Sequence, residues 1–185
     1  MRTTVHEKLR KVIDDIDTQG NASLTRLTVL KKWFEHPGRL SAFGLWVARQ
    51  AAGRKDKTQD GAGALLDETR ALLGTAATRE SLLQQIDREA AESLHHRARK
   101  FQNEFQKQQW GPMRIIHCWP LLLVEEGLAL HAGLDRHPSD GYKLAADWAQ
   151  HYDSRHGNGL NGPSRAKLQK LRRFMLSVEA LEDER

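Results

Sequence analysis

The sequence predicts an all-α fold, a bundle of about seven or eight helices with one long central helix near residues 79–109. Apolar residues recur at spacings of three and four through most of the chain. No alternating Val/Ile/Thr-rich run of strand length occurs. Four of the five prolines, at positions 37, 112, 138 and 163, fall between the periodic segments, where proline does least harm to a helix. A length of 185 residues suits one helical domain over 1–185. Within it, segment 53–62 is expected to be a mobile loop, and segment 154–163 a Gly/Asn-rich loop.

The elements follow in order. Val5, Leu9, Val12, Ile13 and Ile16 form a helical stripe over about 4–18, and Gly20 ends it. Ser23 is an N-cap candidate for a helix over about 23–35, with Leu24, Leu27, Leu30 and Phe34 inside and Pro37-Gly38 as its stop. Leu40, Phe43, Trp46, Val47 and Ala51 mark a third helix over about 39–53. A short fourth, over about 63–73, closes at Gly74. The fifth, near 79–109, carries Leu82, Ile86, Ala90, Leu94, Ala98, Phe101 and Phe105 on one stripe. Residues 113–134 form the sixth segment, and Pro120 places the start of its helix near Trp119. A seventh helix covers about 139–152, with Leu144, Ala145, Trp148, Ala149 and Tyr152 on one face. The last covers about 164–182, where Leu168, Leu171, Phe174, Met175, Val178 and Leu181 make its stripe.

Composition narrows the function classes. Hydrophobic residues at 39% and charged residues at 29% belong to an ordinary soluble globule. A single cysteine excludes an intramolecular disulfide, so a reducing, cytoplasmic compartment is expected. No apolar run approaches the roughly 20 residues of a membrane helix, and the N-terminal MRTTVHEKLRK lacks the apolar stretch of a signal peptide. No membrane partner is therefore expected.

The net charge of +5 lies wholly in residues 1–60, which hold 12 Lys/Arg against 7 Asp/Glu. Phosphate contacts need clustered cations rather than a high overall charge. The densest cluster in sequence is Arg49, Arg54, Lys55 and Lys57. A second basic face is Arg165, Arg172 and Arg173, opposite the apolar stripe of the last helix. These seven residues are the candidate binding residues. The expected function is a helical binding module, compatible with an accessory subunit of a larger protein or nucleoprotein complex and with oligomerisation. Its partner would be a nucleic acid or an acidic protein.

The alternative is an enzyme. The helix PLLLVEEGLALHAGL has no polar side, so at least one of Glu125 and Glu126 should be buried, where a carboxyl group can serve as general acid or base. His117 before that helix, His131 on it, and the Asp147–His151 pair, four residues apart, complete the candidate catalytic set, for acid-base or metal-assisted chemistry. Metal and cofactor sites are not expected. The chain has no H-E-x-x-H and no C-x-x-C, and its one E-x-x-H, Glu92 to His95, reads as part of an exposed charge ladder with Arg88 and Arg99. The G-x-G-x-x-G at 157–162 follows no strand, so dinucleotide binding is rejected.

Overall fold

The computed structural model describes residues 4–19, 24–53, 62–74, 86–108, 119–134, 137–151 and 165–184. All the regular structure there is helical: α1 Val5–Gln19, a 3₁₀ helix Leu24–Glu35, α2 Pro37–Ala52, α3 Ala62–Leu73, α4 Arg88–Gln108, α5 Trp119–Ala132, α6 Pro138–His151 and α7 Arg165–Asp183. The chain is an all-α bundle with eight helices among the described residues. They gather in two compact units: residues 1–40 with 137–185, and residues 41–136. Among the described residues no helix is long and apolar enough to cross a membrane. The expected loops at 53–62 and 154–163 lie, but for Gly53 and Ala62, outside the described residues.

Local chemistry starts the helices. The Thr4 hydroxyl accepts from the Glu7 amide at 3.2 Å while the Glu7 carboxylate accepts from the Thr4 amide at 2.7 Å, a reciprocal capping box. Asp87 caps α4 by accepting from the Glu89 amide at 3.0 Å. That cap fixes the long helix at Arg88, with Ile86 and Asp87 outside it, so the element occupies the later part of the expected span. At α6, Pro138 takes the first helical position, and the His137 amide donates to the Asp140 carboxylate at 2.8 Å.

The segment expected as an amphipathic α-helix over 23–35 is a 3₁₀ helix. Leu27, Leu30 and Trp33 step by three residues and all are buried, which suits the three-residue turn of that helix. Pro37-Gly38 ends the segment as expected, but Pro37 also begins α2.

In the first unit, α1 packs on the 3₁₀ helix and on α7, and α6 packs on the 3₁₀ helix. Glu179 of α7 joins three of these elements. One of its oxygens accepts from Trp33 Nε1 at 2.7 Å, and the other lies 2.7 Å from His6 Nε2. Arg39 makes a two-pronged contact with Glu182 at 2.8–3.2 Å and lies over the Trp33 ring, 5.2 Å from its centroid. Gly141 is seated against Phe34 and Leu40, where a Cβ would meet both side chains at 2.7 Å.

In the second unit, α4 packs on α5, and α3 on both. α2 and α5 cross at Gly44 and Gly127, each of which leaves room for the other's carbonyl oxygen. The buried face of α4 is Ala91, Leu94, His95, Ala98, Gln102 and Phe105. It is rotated toward His95 from the stripe expected on Ala90, Leu94, Ala98 and Phe101. His95 therefore leaves the exposed ladder and enters the core at 2% exposure, where its Nδ1–H donates to the Glu125 carbonyl at 2.9 Å. The rest of the ladder holds in part, since Arg88 and Glu92 do pair at 3.1 Å.

Candidate functional site

α1 and α7 run antiparallel. His6, near the start of α1, meets Glu179 near the end of α7, while Arg10 and Asp14 share a cleft with residues 165–173 at the beginning of α7. The cleft is about 360 Å³ and is lined by Arg10, Ile13, Asp14, Arg165, Gln169, Arg172 and Arg173. The wheel of α7 explains its share. Leu168, Leu171, Met175 and Val178 turn inward, which leaves Arg165, Gln169, Arg172 and Arg173 on the other side.

Of the seven expected binding residues, the fold thus collects Arg165, Arg172 and Arg173 in one place and adds Arg10, which sequence reasoning missed. The signal for Arg10 was weak. It lies opposite the buried Leu9 and Val12 of α1 like any solvated cation, and only the antiparallel pairing with α7 gives it a role.

The electrostatics of the cleft are one-sided. Among the described residues that line it, four guanidinium groups stand with one carboxylate, Asp14. Like charges gathered this closely repel, and an anion relieves that repulsion. Arg172 is half-buried, and its Nε is sealed from solvent with no hydrogen-bond partner among the described residues. Such a donor ordinarily has a partner. Beside the cleft, burial pushes the Lys170 ammonium below its ordinary range, and the positive charge of Arg173 pushes it further. Guanidinium forks match phosphate and carboxylate oxygens in pairs.

Of the other expected cluster, only Arg49 lies among the described residues. Arg49 is a correction: it is 6% exposed, burial holds its guanidinium below the ordinary range, and Nε donates to the Leu73 carbonyl at 2.9 Å. It faces the end of α3 rather than solvent, so it is no surface contact. Arg54, Lys55 and Lys57 lie outside the described residues.

The alternative catalytic set is described only in part. Glu125 and Glu126 are both half-buried, where at least one was expected to be buried, and both are engaged. His117 lies outside the described residues, and so does the side chain of His151. Asp147 is half-buried, and desolvation raises its carboxyl above the usual range.

A different polar pair does form. Ser41 Oγ lies 2.8 Å from His131 Nδ1, and the Ile86 carbonyl holds a second hydrogen bond to the same ring. Burial sets the direction for His131, lowering its pKa, and the charges of Arg49 and Arg88 lower it further against the opposing carbonyl. The ring is thereby kept neutral, with Nδ1 accepting from the serine hydroxyl. Among the described residues no group of three or more His, Cys, Asp or Glu is arranged to hold a metal ion.

Compared with protein-family models, with curated proteins and with solved structures, the chain matches none.

Proposed function

We propose that this chain is a helical binding module that holds a nucleic acid through the arginine cleft between α1 and α7. The observation that carries this reading is the convergence of Arg10 with Arg165, Arg172 and Arg173, including a half-buried Arg172 whose Nε lacks a partner. Leu176, exposed at 41%, lies on the same arc of α7 and extends the basic face with an apolar contact of the kind a base or sugar can cover. A cleft about 360 Å³ in volume takes a phosphate and its neighbours, not a whole duplex. Affinity would therefore come from a run of backbone contacts along α7 rather than from reading base edges. A place as the nucleic-acid-holding subunit of a larger nucleoprotein complex fits that role.

The test is binding of labelled single- and double-stranded RNA and DNA at about 50 and about 200 mM salt, where a few phosphate contacts give a steep loss of affinity. The double substitution Arg172→Ala with Arg173→Ala should remove most of the salt-sensitive part and leave the fold intact, because neither side chain belongs to the apolar core. Absence of binding at low salt would overturn the reading. Binding of an acidic protein instead, lost in the same double variant, would keep the cleft and change the partner.

A further inference from the structure

A second cavity in the first unit, about 690 Å³, opens on the same α1–α7 pair at the opposite end from the arginine cleft. That volume falls in the range of small-molecule sites. Its walls come from four elements. Lys8 stands on α1 and Lys32 on the 3₁₀ helix, His36 sits in the turn before α2, and Val5 and Val29 supply apolar wall.

The charges are not mutually satisfied. Glu179 also lines the cavity, but its two oxygens are already taken by Trp33 Nε1 and His6, and Arg39 is turned to Glu182. Lys8 and Lys32 are exposed and form no ion pair with a described residue. Two ammonium groups from two different elements, together with an exposed imidazole, thus face a cavity where the one carboxylate among the described lining residues is occupied elsewhere. Compact, rotatable ammonium donors suit a phosphate dianion, which presents oxygens in several directions. The valines beside them offer surface for the organic part of a molecule.

We infer that this cavity is a binding site for a small phosphomonoester, held by Lys8 and Lys32 with His36 at its edge, and separate from the arginine cleft. Glu179 is a positioning residue here. By bracing Trp33 and His6 it keeps the wall between α1 and the 3₁₀ helix in place without drawing the lysines inward.

Isothermal titration of the full chain with adenosine 5′-monophosphate, and separately with inorganic phosphate, tests this. The expected result is saturable one-to-one binding of the nucleotide, competed by phosphate. Lys8→Ala with Lys32→Ala should weaken it by about tenfold or more. Both lysines are exposed, so that variant should melt at the same temperature as the parent chain. Arg172→Ala with Arg173→Ala should leave the affinity within about twofold. Equal affinity for phosphate and nucleotide would keep the anion site and assign no role to the valines. Failure of both probes to saturate would overturn the proposal. Binding lost in the double arginine variant but kept in the double lysine variant would also overturn it, by moving the anion to the other cleft, while leaving the nucleic-acid reading standing.

Discussion

Arg49 and Arg70 close each other's helices. Arg49 of α2 donates to the carbonyl of Leu73, the last residue of α3, and Arg70 of α3 donates to the carbonyl of Ala52, the last residue of α2. Helix ends leave four carbonyls without partners, and cations are favoured there by the helix dipole. Lys167 does the same for α6, with Nζ 2.9 Å from the Trp148 carbonyl. Arg49→Ala should therefore lower stability by about 2 kcal/mol, because a buried acceptor loses its donor. Arg70→Ala should cost less, since its side chain is 33% exposed and water can replace it. Urea unfolding of both variants measures the difference. Neither should alter nucleic-acid affinity, whereas loss of binding in Arg49→Ala at full stability would return that residue to the surface.

The same reciprocal pair shows where the sequence was legible and where it was not. The start of α6 was legible from Pro138, whereas the caps at Thr4 with Glu7 and at Asp87 were not singled out, and the long helix was placed from about 79 rather than from Arg88. The basic face of α7 is a wheel property, and Arg165, Arg172 and Arg173 were found on it. Arg49 was misplaced because a cation that closes a neighbouring helix looks, in one dimension, like a cation in solvent. His95 failed for the related reason that a polar ring enters the core only when another helix presents a carbonyl to it. Leu27, Leu30 and Phe34 fit a 3.6-residue repeat, while Leu27, Leu30 and Trp33 fit a repeat of three; all four are buried, so the apolar pattern alone did not separate the two helix types.

His131 gives the fold a dependence on acid. Its folded pKa lies below the ordinary value of 6.5, mainly because burial disfavours the charged ring. As pH falls through that value the unfolded chain takes up a proton that the folded chain refuses, so stability drops with pH and levels off below the folded pKa. Denaturant midpoints at about pH 7.5 and about pH 5 should differ in that direction. His131→Gln should shrink the difference, and an unchanged difference would assign it to other groups.

Asp147 works with the opposite sign. Desolvation raises its folded pKa above the ordinary 3.8, so the folded chain holds the proton longer than the unfolded chain does. Its contribution to stability is present below the unfolded value and is lost as pH rises through the folded value. Asp147→Asn, which never ionises, should raise the melting temperature at neutral pH and bring no gain near pH 3.5 (roughly half a unit below the unfolded value). A lower melting temperature at neutral pH would mean that the ionised carboxylate has a partner.

Two glycines of α2 separate close approach from helix propensity. A Cβ at Gly44 would fall on the Gly127 carbonyl, a backbone atom that cannot rotate away, whereas a Cβ at Gly38 meets nothing within 4 Å. Gly38→Ala should stabilise the chain by up to about 1 kcal/mol, the ordinary helix gain. Gly44→Ala should destabilise it by about 3 kcal/mol, because α2 and α5 must move apart. Equal effects in thermal melts would mean that the two helices do not touch at Gly44.

Arg10 and Asp14 lie one helical turn apart on α1 and face the same arginines with opposite charge. If the cleft holds phosphate, the two should move affinity in opposite directions. Arg10→Ala removes about one contact and should reduce the slope of log affinity against log salt by about 1. Asp14→Asn removes a carboxylate lining the cleft, and should strengthen binding several-fold with no change in which sequences are bound, because a carboxylate repels every phosphate alike. Fluorescence anisotropy across a salt series reads both effects. An unchanged slope in Arg10→Ala would confine the interface to α7, and weaker binding in Asp14→Asn would mean that the carboxylate orients an arginine rather than opposing the ligand.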